Sequence, residues 1–271
     1  MPLPSASSTS STRLPISELF SIRDKTVIAT GITGGIGLEI AKTLAEAGAH
    51  IVAIHLSNDP NIETLTKAIR NMSRQCHSFE CDVSDSPALR RTFQQIWDSG
   101  TTPDILLNCA GWNKRAPLEE VEDEWFDKIL AINLKASYVA SQEFAKQLRR
   151  LENRPGKIIN IGSVTSFKGM YNVSPYACSK GGVLQMTKAF SNELASRGIQ
   201  VNCLCPGYIT TPLTTQLMQN KEYNDYIISR TPAGRWGTPQ DLRGAVVFLA
   251  SPASDFVTGT SIYVDGGMTG Q

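Results

Sequence analysis

The sequence predicts an α/β protein: a single doubly wound domain with a parallel seven-stranded sheet and helices on both faces. Two observations carry this expectation. Short apolar runs rich in β-branched residues alternate with stretches of helical periodicity from about residue 26 onward. The first such run is followed at once by a glycine-rich turn that opens a helix. The chain has 271 residues, 41% of them hydrophobic, enough for one large domain with a substantial core.

Taken in order, Thr26–Thr30 (TVIAT) is a short buried strand, and Gly35–Ala47 places Ile36, Ile40 and Leu44 at helical spacing. Ile51–His55 is the second strand, Ile62–Met72 is helical and Ser78–Val83 is extended. Ser86–Trp97 is helical and Ile105–Asn108 is a strand. One long helix is expected from about Glu124 to Leu151, then a strand at Lys157–Ile161. Pro175–Ser196 carries Val183, Met186, Phe190 and Leu194 on one helical face, and Gln200–Cys205 is a strand. Thr238-Pro239-Gln240-Asp241 reads as a capped helix start with proline in its first position, and Ser261–Val264 is the last strand. No internal repeat is visible. Residues 1–20, opening MPLPSASSTSSTRLP, are rich in Ser, Thr and Pro and read as a disordered tail.

Bulk properties exclude several classes. There are 26 basic and 25 acidic residues, a formal charge of +1, which gives no electrostatic case for nucleic acid or a membrane surface. No apolar run approaches the ~18 residues of a membrane span, and the tail lacks a secretory apolar core. The six cysteines (Cys76, Cys81, Cys109, Cys178, Cys203, Cys205) form no C-x-x-C pair and read as reduced thiols of a cytoplasmic protein. With only His50, His55 and His77, neither a metal site nor a serine–histidine triad is expected.

The turn Thr30-Gly31-Ile32-Thr33-Gly34-Gly35-Ile36-Gly37 joins the first strand to the first helix of the alternation. Glycines there let the backbone approach a pyrophosphate, and the helix N-terminus offers free N–H groups and a positive dipole end. The bland alternative is a tight β-α loop. The glycine spacing is G-x3-G-x-G through Gly31, Gly35 and Gly37, and further landmarks follow in register. These are Asp82-Val83, Asn108-Cys109-Ala110-Gly111, Pro206-Gly207-Tyr208-Ile209 and Thr211. Over about residues 21–267 the chain resembles the short-chain dehydrogenase/reductase family, whose fold is Rossmann-type. The resemblance implies a catalytic domain over 21–271 and a nicotinamide cofactor. That cofactor would be held by Gly31, Thr33, Gly35, Ile36, Gly37, Asp82, Val83, Asn108, Ala110, Gly111, Pro206, Gly207, Ile209 and Thr211. Cys109 departs from the usual N-N-A-G.

The second strand ends in His55-Leu56-Ser57-Asn58, without the acid that an NAD enzyme uses on the ribose 2′-OH. Room for a 2′-phosphate, with His55, Ser57 and Asn58 as donors, tips the reading toward NADP(H) over NAD(H). Against it, Gly34 and Leu56 are not basic, and the three polar residues also suit a solvated strand end.

Tyr176 and Lys180 stand at i and i+4 on one helical face. A free tyrosine has a pKa of about 10, too high for a base at neutral pH, and an ammonium one turn away favours phenolate. Alone, such a pair is more often a surface contact. Ser163, thirteen residues before Tyr176, and Asn133, in Ala131-Ile132-Asn133-Leu134, complete the family's four positions. The resemblance implies Tyr176 as acid/base and Lys180 as the group on the cofactor ribose, which it also implies as a contact of Tyr176. It implies Ser163 as the carbonyl donor and Asn133 as a helix-bending residue that supports proton relay.

Several stretches look most like the gluconate and deoxygluconate dehydrogenase group of that family: Gly156–Ile161, Ser166-Phe167-Lys168-Gly169 and Pro232–Gly237. In that group two basic residues often follow the N-N-A-G motif, and Lys114-Arg115 fill that place after Trp112-Asn113. Trp112, Lys114, Arg115 and Phe167 are therefore the expected substrate contacts, with the cations on a carboxylate. A ketoreductase for a larger ketone, with Trp112, Phe167, Met170 and Tyr171 as its apolar wall, is the alternative. A non-catalytic scaffold is a third, whose expected sign, a broken tetrad, is missing. Residues 211–228 are expected to form a substrate lid, with Leu213, Leu217 and Met218 inward and Gln216, Asn220 and Lys221 outward. A homo-oligomer, a tetramer, is expected from apolar residues on the long helix such as Phe126, Ile129, Leu130, Val139 and Phe144.

Overall fold

The computed structural model describes residues 13–270. Its strands are β1 (Thr26–Thr30), β2 (His50–His55), β3 (Cys76–Glu80), β4 (Ile105–Asn108), β5 (Gly156–Ile161), β6 (Ile199–Pro206) and β7 (Ser261–Val264). All pair in parallel, in the order β3-β2-β1-β4-β5-β6-β7. The helices are α1 (Ile16–Leu19), α2 (Gly35–Glu46), α3 (Ile62–Asn71), α4 (Ser86–Asp98), α5 (Asp123–Leu130), α6 (Ala136–Arg150), α7 (Ser174–Leu194), α8 (Thr215–Gln219), α9 (Lys221–Ser229) and α10 (Arg243–Ala250).

Parallel strands need crossover helices, so both sheet faces are covered and the strands are apolar on both sides. Alternation survives as a division of labour. Val27 and Ala29 of β1 pack with α2, α3 and α10, whereas Ile28 packs with α4 and α6. Under α4 and α6, Phe93 and Phe144 are fully buried, and Trp97 lies 6.0 and 6.1 Å from their rings. Truncating either phenylalanine to alanine would cost about 3–5 kcal/mol. The strand order runs outward in opposite directions from β1 and β4, which opens a crevice at the carboxyl ends of those two strands.

Several boundaries move. β3 stops at Glu80 rather than Val83, because Asp82 accepts hydrogen bonds from Ser84 N and Oγ in a turn leading to α4. The expected helix 124–151 is interrupted: a π-turn at Ala131–Lys135 separates α5 from α6. Thr238 forms its capping box, but over a single 3-10 turn, Pro239–Leu242, ahead of α10. The expected disordered tail, 1–20, lies outside the described residues up to residue 12. Its remainder holds the turn α1, and the Phe20 ring packs at a tilt 6.5 Å from that of Phe248. Of the apolar residues assigned to an oligomer contact, Ile129, Val139 and Phe144 are buried in their own domain; Phe126 is exposed, as is Tyr138. Among the described residues no helix is long and apolar enough to cross a membrane.

Candidate active site

The glycine turn sits at the crevice between β1 and β4. Gly31 has φ +67°, and a Cβ there would stand 2.5 Å from Ala110 Cα. A Cβ on Gly37 would stand 2.1 Å from Gly31 O, so the turn closes only without side chains at both positions. Gly34, which precedes α2, supplies no side-chain cap, and nothing lies within 4 Å of a Cβ built on it. The first N–H groups of α2 thus have no side-chain cap and stand at the positive end of a twelve-residue helix. This cradle fits a dinucleotide pyrophosphate. Thr211 reaches it from beyond β6, its side chain 3.9 Å from a Cβ on Gly35.

Thr30, which sequence reasoning passed over, locks the crevice: its Oγ1 accepts from Cys109 N at 3.3 Å and Ala110 N at 3.2 Å. Asn108, expected at the cofactor, faces elsewhere. It is buried, and its Nδ2 donates to Asn160 Oδ1 at 2.8 Å and Ser141 Oγ at 3.0 Å, tying β4 to β5 and α6. The interior placement gives the buried Nδ2 its partners, while Oδ1 has none, and leaves the crevice to the backbone of Ala110 and Gly111.

At the carboxyl end of β2 two of the three expected donors are already engaged. Ser57 Oγ donates to Glu80 at 2.9 Å, and buried His55 has Nδ1 2.8 Å from Leu56 O. Asn58 takes φ +58°. Two carboxylates missed in the sequence stand here: Glu80, and Asp59, which accepts from Thr33 Oγ1 of the glycine turn at 2.6 Å. Asp59 lies four residues past His55, outside the strand end where an acid is looked for. Asp82 is exposed beside them and Val83 packs under the sheet.

Tyr176 and Lys180 lie in the first two turns of α7, which starts at Ser174 with Pro175 behind it. Lys180 is buried; Nζ donates to Ile161 O at 2.7 Å and lies 5.6 Å from the Tyr176 ring centre. Ser163 leaves β5 with extended backbone and begins a 3-10 turn. Its Oγ accepts from Thr165 N at 3.1 Å, while Ser166 Oγ accepts from Ser163 N and donates to Lys180 O. One short turn thus fixes Ser163 against α7.

Asn133 sits within the π-turn, almost fully buried. Its Oδ1 accepts from Trp112 N at 2.8 Å, and its Nδ2 donates to Trp112 O at 3.0 Å and Ser179 Oγ at 3.1 Å. A Cβ on Gly111 would meet Asn133 Oδ1 at 3.7 Å and Lys180 Nζ at 4.0 Å, so the four expected catalytic positions converge on the crevice.

A cavity of about 480 Å3 opens over Ser163 and Tyr176, bordered by Ile36, Pro206, Gly207, Ile209 and Thr211 on the cofactor side. Arg115 lines it, together with Asn113, Val173 and Tyr208, which the sequence reading did not single out. Burial pushes the Tyr208 phenol well above its ordinary range, and Tyr223 OH at 2.8 Å reinforces this. The other expected substrate contacts lie off the cavity. Lys114 Nζ sits 3.0 Å over the Trp125 ring, and the Trp112 ring receives Lys128 at 4.7 Å. Phe167 packs on Tyr263 at 4.7 Å and is exposed. Cation–π and aromatic partners outside the crevice hold these three. The 211–228 segment forms α8 and most of α9. Leu213, Leu217 and also Gln216, expected outward, face the cavity, whereas Met218 packs near Trp236 and Ile227.

A family model described as enoyl-(acyl carrier protein) reductase matches residues 31–269. A 2-dehydro-3-deoxy-D-gluconate 5-dehydrogenase of Pseudoalteromonas atlantica is 38% identical over 254 residues, 94% of this chain and 99% of that protein. A gluconate 5-dehydrogenase of Gluconobacter oxydans is 37% identical over 255 residues, 93% of this chain and 97% of that one. The crystal structure of a gluconate 5-dehydrogenase from Burkholderia cenocepacia, in complex with NADP and tartrate, superposes with a TM-score of 0.89 at 37% identity. That likeness covers 94% of this chain and 99% of the other. With likeness running the length of the domain and through the crevice, the chain belongs to the short-chain dehydrogenase/reductase family, NAD(P)-dependent oxidoreductases that interconvert an alcohol and a carbonyl.

Proposed function

We propose that the enzyme interconverts a secondary alcohol and a ketone on a sugar acid, with NADP(H) as the cofactor. The observation that carries this is Arg115: a guanidinium lines the same cavity as Ser163 and Tyr176, and a planar cationic fork suits a carboxylate. Similar proteins along the whole chain are named for gluconate and deoxygluconate. The NADP-bound neighbour supports the cofactor choice, as does the lack of an acid at the end of β2. Asp59 and Glu80 oppose it, and a 2′-phosphate would displace the Thr33–Asp59 and Ser57–Glu80 hydrogen bonds.

When bound, the nicotinamide gives or takes the hydride. In the reductive direction Tyr176 hands its phenolic proton to the ketone oxygen; in the oxidative direction it takes the proton back. The Ser163 lone pair already accepts from Thr165 N, which leaves its O–H proton to donate to the substrate oxygen. Lys180 spends one of its three donors on Ile161 O, and the others serve Tyr176 and the cofactor ribose. The Asn133 side chain is committed to the Trp112 peptide and Ser179, so it positions the Gly111 loop beside Lys180. Any relay at this residue runs outside its amide. The segment 211–228 closes over the substrate and excludes water. The chain works in the cytoplasm as a homo-oligomer, for which exposed Phe126 and Tyr138 on α5 and α6 supply apolar contact surface.

A panel of aldonic acids and aryl ketones, followed by nicotinamide absorbance with each cofactor, tests the reading. Turnover of acids, with aryl ketones much poorer, is expected. The reverse order would sink it and favour the ketoreductase alternative, although none of that reading's wall residues, Trp112, Phe167, Met170 and Tyr171, lines this cavity.

A further inference from the structure

A second cavity, of about 500 Å3, adjoins the first on its outer side. The two share Arg115, Gln216 and Leu217, so they are neighbouring lobes of one cleft. The inner lobe, which carries Ser163 and Tyr176, takes the reacting acid beside the nicotinamide, and since each lobe alone has the size of a small-molecule pocket the outer one has room for a further group. The wall between them is built. Arg115 donates to Tyr171 O at 3.0 Å and rests 5.1 Å from the Tyr223 ring, so its guanidinium is held at the junction with donors to spare.

The outer lobe has the chemistry of a carbohydrate site. Tyr171 and Tyr226 present exposed rings, and the Tyr226 ring stands 6.3 Å from that of Tyr223. Amide and carboxylate side chains line the same lobe: Asn172, Gln216 and Glu222. A pyranose offers just these two surfaces, an apolar C–H face for an aromatic ring and a rim of hydroxyls that donate and accept. A purely aromatic ligand would leave the polar groups desolvated without partners.

We propose that the outer lobe is a sugar-ring subsite, and that the enzyme accepts a sugar acid bearing a glycosyl substituent, the acid in the inner lobe and the second ring against Tyr226 and Tyr171. This rests on the sugar-acid reading above and adds to it the size of the substrate.

The test compares gluconate with lactobionate, which is a galactosyl gluconate, and with an aryl ketone, in the wild type and in Tyr226→Ala and Tyr171→Ala. Both positions are exposed, which keeps folding out of the question. The expected result is that lactobionate is oxidised, and that each variant lowers the lactobionate-to-gluconate ratio of kcat/KM roughly three- to tenfold, the worth of one ring contact. Saturation-transfer NMR should place the galactosyl protons against the wild-type protein and lose them in Tyr226→Ala. Gluconate oxidised while lactobionate is refused, or is taken without regard to either tyrosine, overturns the subsite and leaves the sugar-acid reading standing. If neither acid turns over, that reading falls and the subsite with it.

Discussion

Replacing Arg115 by alanine should raise KM for an acid substrate far more than for a neutral one. The side chain lines the inner cavity, and one of its donors is fixed on Tyr171 O at 3.0 Å, so the guanidinium is preorganised. A charge-assisted pair to a carboxylate is worth about 1.5–3 kcal/mol, or roughly ten- to hundredfold in KM. The substitution also releases the turn at Tyr171 and Asn172, where Asn172 holds φ +63° and its carbonyl accepts from Ala116 N. That loosening acts on every substrate alike. The informative quantity is therefore a ratio: the loss in kcat/KM for an aldonic acid divided by the loss for a neutral hydroxyketone. Arg115→Lys keeps the charge without the fork and should fall between wild type and alanine. Cofactor Kd, read by nicotinamide fluorescence, should hold. Equal losses on acid and neutral substrates would show that Arg115 serves only the turn, and the sugar-acid reading would lose its main support.

Tyr176→Phe should lower kcat by about 10²–10⁴ while cofactor Kd is retained; a variant keeping a tenth of the wild-type rate would remove Tyr176 as the principal acid/base. Asp59→Asn takes a carboxylate away from the glycine turn and should tighten NADP relative to NAD roughly three- to tenfold by titration calorimetry. An unchanged ratio would place the 2′-phosphate away from Asp59. Sedimentation at micromolar concentration should give a multiple of the 29.5 kDa chain mass; a monomer would end the oligomer proposal.

The parallel alternation, the glycine turn and the tetrad positions were legible because each is a local pattern. A strand-turn-helix spacing or an i, i+4 pair needs no knowledge of the rest of the fold. What escaped was decided by long-range partners. Lys114 and Arg115 are adjacent and alike in charge, yet only Arg115 reaches the cavity, because Trp125 on α5 captures Lys114. Asn108 looked like a ligand group, but its partners Asn160 and Ser141 come from β5 and α6, 52 and 33 residues away. The break in the expected long helix was implied only by the family likeness, as a bend at Asn133, and has no compositional mark of its own. Its reason is tertiary: Asn133 inserts at the break to clasp the Trp112 peptide 21 residues earlier. Sequence spacing thus located the chemistry, and packing chose which neighbours of the chemistry touch a substrate.

Cys109 offers a stability test of the same crevice. Burial pushes its thiol up to about 11, with the Lys180 charge opposing only in part. An unfolded thiol titrates near about 8.5. The folded state thus resists ionisation that the unfolded chain accepts, so the unfolded state gains as pH rises between those values. Native stability should fall across that window by up to roughly 3 kcal/mol from this one group. Cys76 and Cys81 are also raised by burial and steepen the wild-type slope, so the comparison that isolates Cys109 is with Cys109→Ala. The assay is the thermal midpoint from about pH 7 to 11 for both proteins. The variant should lose less as the solution becomes alkaline, whatever its offset at neutral pH. Saturating cofactor should lift the wild-type curve without changing its slope, because Cys109 N is bonded to Thr30 Oγ1 in the wall that Gly31 and Ala110 form, and a ligand held there stabilises only the folded crevice. Parallel pH profiles for the two proteins would mean that the thiol reaches solvent in the native state. Cys109 would then be an accessible group at the cofactor cleft rather than part of its wall.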